Sequence, residues 1–238
     1  MISIKGLSKK FDRQLVLDNI NLEVQKGKLL VVLGESGSGK SVLLQHLIGL
    51  MKPDQGSIAI DGQDITKMNE TQLLKIRQKI GYLFQEGALY DFMTVFENVA
   101  FPLAEHTRLK HKDIKEKVLR VLKTVGLEEA GNKFPSELSG GMKKRAALAR
   151  AIVLDSKILF CDEPTSGLDP IKSKSISFLI KKISSELHCT TVVTSHDIRN
   201  SFRIADQLIL IKEGRIVGSG TPSVLQDYQD AFIQEFLS

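Results

Sequence analysis

The sequence predicts an α/β fold with a mainly parallel sheet covered by helices on both faces. Three observations carry this expectation. Short apolar runs alternate with helical periodicity at both ends of the chain. One such run, Leu29–Leu33, passes through a glycine-rich turn into a helical pattern from Val42. Between about residues 87 and 141 the period becomes purely helical, which reads as an insertion. In order, Ile2 and Ile4, then Val16, Ile20, Leu22 and Val24, suggest short strands with one buried face. Gly27-Lys28 turns into the Leu29–Leu33 strand, and the helix after Lys40 ends near Gly49. Lys52-Pro53-Asp54-Gln55-Gly56 is a turn, and Ser57–Gly62 a strand leading into a hairpin. Glu70–Lys79 is helical and Ile80–Phe84 a strand. In the insertion, Val95, Val99 and Leu103, then Ile114, Val118, Val121, Leu122 and Val125, mark two helices, the second closed by Gly126. Afterwards come a strand at Ile158–Cys161, a helix at Ile171–Leu187 and a strand at Thr190–Thr194. Asp197 caps a short helix, Gln207–Ile211 is a strand, and Glu213-Gly214 is a hairpin turn.

The 238 residues suit one α/β unit with a sizeable insertion. Hydrophobic residues make up 42% and charged residues 26%, an ordinary globular balance. No apolar run is long enough to cross a bilayer, and Met1–Lys5 reads as a strand rather than a leader. Work at a membrane would therefore require other chains to hold the protein there. The net charge of +5 permits contact with anionic lipid or nucleic acid and demands neither. Lys143-Lys144-Arg145 and Lys181-Lys182 read as solvated helix faces. Cys161 and Cys189 are too few for a disulfide framework and read as packing residues of buried strands.

Three segments carry chemistry. Gly34-Glu35-Ser36-Gly37-Ser38-Gly39-Lys40-Ser41 is G-x-x-x-x-G-K-S set between strand and helix, the context of a phosphate site. Its glycines let backbone N–H groups turn inward, and the helix aims its positive end at the same point. Lys40 adds charge for the outer phosphates, and the Ser41 hydroxyl is a ligand for Mg²⁺. The second segment, Lys157–Glu163, is an apolar strand ending in two acids, where α/β sheets bind ligands. Asp162 is placed to hold Mg²⁺ through its water shell. The pleat turns Glu163 the other way, free to accept a proton from an attacking water. The third is Leu138-Ser139-Gly140-Gly141-Met142, an N-cap serine and two glycines at a helix start. This is a second anion-binding terminus, for which a chain holding one nucleotide has no use by itself.

The order and approximate spacing of residues 34–41, Leu138–Gly141, Asp162-Glu163, Ser166-Gly167-Leu168-Asp169 and His196 resemble those of the ATP-binding subunits of ABC transporters, over essentially the full length. The resemblance implies a RecA-like P-loop NTPase core with an antiparallel β subdomain and a helical subdomain. It further implies that residues 1–238 form a single ABC ATPase domain, with 1–86 and 142–238 as core plus β subdomain and 87–141 as the helical subdomain. It implies ATP and Mg²⁺ as ligands and a homodimer beneath two permease subunits. That places the chain peripherally at the cytoplasmic face of the bacterial inner membrane, with no nucleic acid partner. Two such cassettes face head to tail, so that Ser139, Gly140 and Gly141 of one close over the γ-phosphate held by the other. By the same resemblance Phe11 stacks on adenine, Gln85 contacts Mg²⁺ and the attacking water, and His196 touches the γ-phosphate. Asp169 communicates across the dimer, and Arg145 is structural.

One departure stands out. Met142 replaces the usual glutamine and forms no useful hydrogen bond near ribose or phosphate, which leaves the partner-site sugar contacts open. Met142, with the stretches Phe84–Tyr90 and Val95–Leu103, resembles the Mla-type branch, whose ATPases serve lipid transporters that work with MCE proteins. Phe92, Phe96 and Phe101 read equally as anchors for a permease or as core of the helical subdomain. The alternatives are a transporter ATPase for another substrate, a non-transport ABC ATPase of DNA repair or translation, and a regulator without turnover. One cassette with a short insertion argues against the second, and intact Glu163 and His196 against the third. Substrate and direction are not written in this chain, because those contacts lie in others.

Overall fold

The five consecutive apolar residues Leu29–Leu33 are all buried, and the fold is arranged around this strand. The structure, a computed structural model, describes residues 1–230, 233, 234 and 236. In chain order its elements are β1 (Ile2–Phe11), β2 (Gln14–Val24), β3 (Leu29–Leu33), α1 (Lys40–Leu47), β4 (Gln55–Ile60), β5 (Gln63–Asp64), α2 (Glu70–Arg77), β6 (Ile80–Leu83) and α3 (Val95–His106). They continue with α4 (His111–Thr124), α5 (Gly140–Ile152), β7 (Ile158–Cys161), α6 (Pro170–Glu186), β8 (Thr190–Ser195), α7 (Ile198–Ile204), β9 (Gln207–Lys212), β10 (Arg215–Gly220) and α8 (Pro222–Gln226).

The central sheet has the order β10-β9-β3-β8-β7-β6. Its strands run parallel except β10, which returns antiparallel beside β9 through the expected turn at Glu213-Gly214. Alternate residues of β3 enter two cores. Leu29, Val31 and Leu33 face α3, α4, α5, α6 and α7, while Leu30 and Val32 face α1, α2 and the second sheet. Burial on both faces is why the parallel strands read as continuous apolar runs. The second sheet is antiparallel, in the order β2-β1-β4-β5.

The two N-terminal strands differ from the short ones expected, with 10 and 11 residues. Their pairing shifts register between Ile4 and Leu7, Leu7 and Lys9, and Lys9 and Lys10, and Asn19 has a left-handed backbone (φ 51°). Bulges break the period of two, so Leu17 and Ile20, three residues apart, are both buried. Val16, expected on the buried face, is half-buried. Cys189 is buried as expected but precedes β8 by one residue.

Between residues 87 and 139 the described chain contains helices and turns and no strand. Thr94 and Glu97 form a capping box that starts α3. Val95, Val99 and Leu103 of α3, and Val118, Val121 and Leu122 of α4, pack on Ala146, Ala147 and Leu148 of α5. Through α5 this helical layer is continuous with the core beneath β3. No described helix is long and apolar enough to cross a membrane.

His46 lies buried in α1, with Nδ1 2.7 Å from Val42 O and no described partner on Nε2. Burial holds its pKa below 6.5. The unfolded chain therefore takes up a proton that the folded chain refuses, and stability is full above about pH 6.5 and declines as pH falls. The slope from this group is at most about 1.4 kcal/mol per pH unit. Urea unfolding at about pH 7.5 and 5.5 is expected to show a shallower decline for His46→Leu than for the parent. An equal decline in both would contradict this.

Candidate functional site

The carboxyl ends of β3, β6, β7 and β8 lie along one edge of the parallel sheet, where this architecture binds ligands. From β3 the chain enters the turn 34–39. Gly37 and Gly39 have φ of 82° and 102°, and a Cβ at Gly39 would stand 2.8 Å from Val16 O, so no other residue fits there. The bulged β2 thus brings its backbone against the turn. Helix α1 follows with no side chain capping its first N–H groups. The Ser38 hydroxyl is buried without a described partner, and a Cβ at Gly37 would meet nothing within 4 Å. Free donors beside open space at a helix start suit an anion.

Lys40 is buried, and its ammonium donates to Gly34 O and Glu35 O at 2.9 Å each and lies 3.3 Å from Glu163 Oε1. Asp162 is buried too. Its Oδ1 accepts from Ser41 Oγ at 2.9 Å and from Thr194 Oγ1 at 2.7 Å, and Tyr82 OH lies 3.5 Å from Oδ2. Burial and then the neighbouring Asp162 charge push the Tyr82 pKa up, so the phenol stays a donor. Ser41 and Asp162 together present hard oxygen donors. Such a set fits Mg²⁺, which prefers few protein ligands and keeps its waters.

Strand β7 ends at Cys161, so the pleat does not orient Glu163 as the sequence reading expected. Its left-handed backbone (φ 39°) does so instead, with its N–H donating to Thr194 Oγ1 at 2.9 Å. A non-glycine residue held there costs roughly 1–2 kcal/mol. The Glu163 carboxylate meets Lys40 on one side and Nδ1 of the exposed His196, at 3.1 Å, on the other. Gln85 leaves the end of β6 and lines a cavity of about 250 Å³ with Gly37, Gly39, Lys40, Ser41 and Glu163. Its side chain lies 3.5 Å from Ser166 Oγ.

The other predicted residues stand elsewhere. Ser139 caps α5, accepting from Met142 N at 3.4 Å, while Met142 packs partly against the core. Positions for a Cβ at Gly140 and Gly141 lie 3.4 and 3.5 Å from Leu168 and Lys172, so this terminus adjoins the start of α6. There Asp169 caps α6 and pairs with Lys172, whose hydrogen bonds hold its carboxyl below the usual range. Phe11 is exposed at the end of β1, with Lys9 Nζ 5.5 Å from its ring centre. The chain therefore carries two clusters: residues 34–41 with Gln85, Asp162, Glu163 and His196, and residues 139–141 with Leu168 and Asp169.

Sequence reasoning missed Tyr82, Thr194 and Lys144. The available signal for Thr194 was a hydroxyl residue directly after the apolar Val192-Val193 at a strand end. Lys144, read as part of a solvated face, is buried, and its ammonium donates to Gln85 O. Burial pushes its pKa down. Arg145 braces helices instead, donating to Val125 O and Ser175 Oγ at 2.7 and 2.8 Å.

A sequence profile of the ABC transporter family matches residues 17–166. The chain is 43% identical over 237 residues to the "Intermembrane phospholipid transport system ATP-binding protein MlaF" of Haemophilus influenzae, covering 100% of this chain and 90% of that protein. It is 41% identical to the "Probable ribonucleotide transport ATP-binding protein mkl" of Mycobacterium leprae, covering 100% of this chain and 68% of that protein. Its structure resembles the dimeric post-hydrolysis state of the ATP-binding cassette MJ0796 bound to ADP and Pi, with TM-score 0.85 and 33% identity, covering 93% of this chain and 99% of that one.

Proposed function

The chain belongs to the ABC transporter family and hydrolyses ATP, and from that premise we propose that it drives a lipid transporter, most directly one for phospholipid, as a homodimer beneath permease subunits. The observation that carries the catalytic part is the meeting of Lys40, Ser41, Asp162, Glu163 and His196 at one sheet edge. Loop amides of Gly34, Glu35, Ser36, Gly37, Ser38 and Gly39, with Lys40, neutralise the phosphates. Catalysis of this kind is mostly positioning and charge stabilisation. Ser41 and Asp162, with Gln85 lining the same cavity as Ser41, would hold Mg²⁺, which would supply charge neutralisation to the bound phosphates. Glu163 accepts the proton of the attacking water, and His196 contacts the γ-phosphate while fixing the Glu163 carboxylate. The exposed Phe11 is available to stack on adenine.

Ser139, Gly140 and Gly141 lie outside the cavity of their own chain's phosphate turn. Their use is then across a dimer, over the partner's nucleotide, with Asp169 alongside. The dimeric solved relative supports this arrangement. The 87–141 stretch acts as the helical subdomain that meets the permease. Tyr90, Phe92 and Phe101 form an aromatic cluster with ring centres 5.7 and 5.2 Å apart, in which Phe92 is 75% exposed. These rings suit an interface, whereas Phe96 packs on the core. The lipid assignment rests on the MlaF relative, matched over nearly its whole length, and on Met142. The mkl name points to another cargo and is the second reading. An MCE-type lipid-binding protein completes the complex, which sits at the cytoplasmic face of the bacterial inner membrane.

Glu163→Gln removes the proton acceptor and keeps the shape. Turnover is expected to fall by about 10²–10⁴-fold with ATP affinity retained and a dimer trapped on MgATP. Normal hydrolysis would remove Glu163 from its role. The cargo is tested by affinity purification from native membranes in mild detergent, with mass spectrometry of chains and lipids. Permease, MCE protein and bound phospholipid are expected. A soluble-substrate binding protein with no phospholipid would overturn the lipid reading alone.

A further inference from the structure

Helix α5 runs from the Ser139 cluster past the segment that follows β6. Residues 85–90 there form neither helix nor strand, and Gly87 and Ala88 have left-handed backbone (φ 77° and 50°). The far end of this segment is held by α3, where Asn98 bonds the N–H and the carbonyl of Tyr90 at 2.8 and 3.0 Å, and its near end by α5. Lys144 Nζ donates to Gln85 O, and nearly two turns later Arg150 donates to Gly87 O at 2.8 Å and Ala88 O at 2.7 Å. Between them Ala147 packs so closely that a Cβ at Gly87 would stand 3.3 Å from its own. Arg150 also lies 5.8 Å from the centre of the Tyr90 ring. Of these contacts only that of Lys144 reaches residue 85.

Lys144 as a residue is buried, and bringing its ammonium out of bulk water is costly unless it is hydrogen-bonded and offset by charge. Glu86, Glu163 and Asp162 supply the charge, and the Gln85 carbonyl accepts the bond. A residue needed only for packing at this position would be apolar. We propose that Lys144 is a positioning residue for hydrolysis: by holding the Gln85 main chain to α5 it sets where the Gln85 side chain stands in the cavity shared with Lys40 and Glu163. Because the same helix begins at Ser139, a shift of that end on dimer closure moves Gln85 with it. This rests on the reading of Gln85 as the residue facing metal and water.

The test is steady-state ATP hydrolysis by the full chain as Lys144→Met, Lys144→Arg, Gln85→Ala and the Lys144→Met/Gln85→Ala pair, with thermal unfolding recorded alongside. Misplacement of a reacting group costs about tenfold to a hundredfold. Lys144→Met is therefore expected to lose at least about tenfold in kcat with KM within about twofold. Lys144→Arg restores most of the loss, and the double variant loses no more than the weaker single variant. Should Lys144→Met not fold, Lys144→Leu, which likewise has no donor, takes its place, with the same loss in kcat and KM within about twofold. A parental kcat in the folded variant, or additive losses in the pair, overturns the proposal. If Gln85→Ala itself turns over normally, the role of Gln85 falls and this inference with it. Loss in Gln85→Ala without loss at Lys144 overturns this inference alone.

Discussion

The site depends on one buried carboxylate. Asp162 stands at the end of β7, where its charge is stabilised by Ser41 from α1, Thr194 from β8 and Tyr82 from β6. A buried anion without such donors is strongly unfavourable, so these four elements are held in one arrangement. That arrangement fixes the start of α1, hence Lys40, and it places Thr194 where the same hydroxyl oxygen accepts from the Glu163 N–H. The strained backbone of Glu163 is held by this bond and by the Lys40 pair. The placement of Lys40, of the Ser41 and Asp162 oxygens and of the Glu163 carboxylate thus follows from one hydrogen-bonded centre.

The second consequence is a separation. The phosphate turn and its acids lie at the sheet edge, while the Ser139 terminus adjoins the start of α6. Helix α5 joins these regions: it begins at Gly140, holds the backbone after Gln85, and packs α3 and α4 onto the core. The aromatic surface of Tyr90 and Phe92 lies on the segment after β6, which α5 grips through Lys144 and Arg150. Under the proposed function, coupling of that surface to the site needs an element with two arrangements, which closure of two cassettes over ATP would supply.

How much of this was legible in the sequence depends on the range of each interaction. The phosphate turn was readable because strand, glycines, Lys40 and helix are contiguous. The strand before Asp162 and the helices from Val95 to Val125 were readable from period and length. The N-terminal strands were misjudged because bulges near Gly6 and at Asn19 interrupt alternation, which moved Val16 out of the core and Leu17 into it. The direction of Glu163 was expected for the wrong reason, since a single left-handed residue leaves no periodic trace. Lys144 looked like its exposed neighbour Lys143, and only the approach of the Gln85 carbonyl, 59 residues away, distinguishes them.

The central claim is that each ATP is hydrolysed between the phosphate turn of one chain and the Ser139 terminus of another. Mixing two inactive variants, Lys40→Ala and Ser139→Arg, measures this directly. In a mixed dimer one composite site carries both defects and the other carries neither. Each variant alone is expected to be inert, Ser139→Arg is expected to bind ATP normally as a monomer, and mixing is expected to restore hydrolysis that rises with protein concentration. Mixed dimers that form yet stay inactive, or a Ser139→Arg chain that hydrolyses ATP at the parental rate, would contradict it.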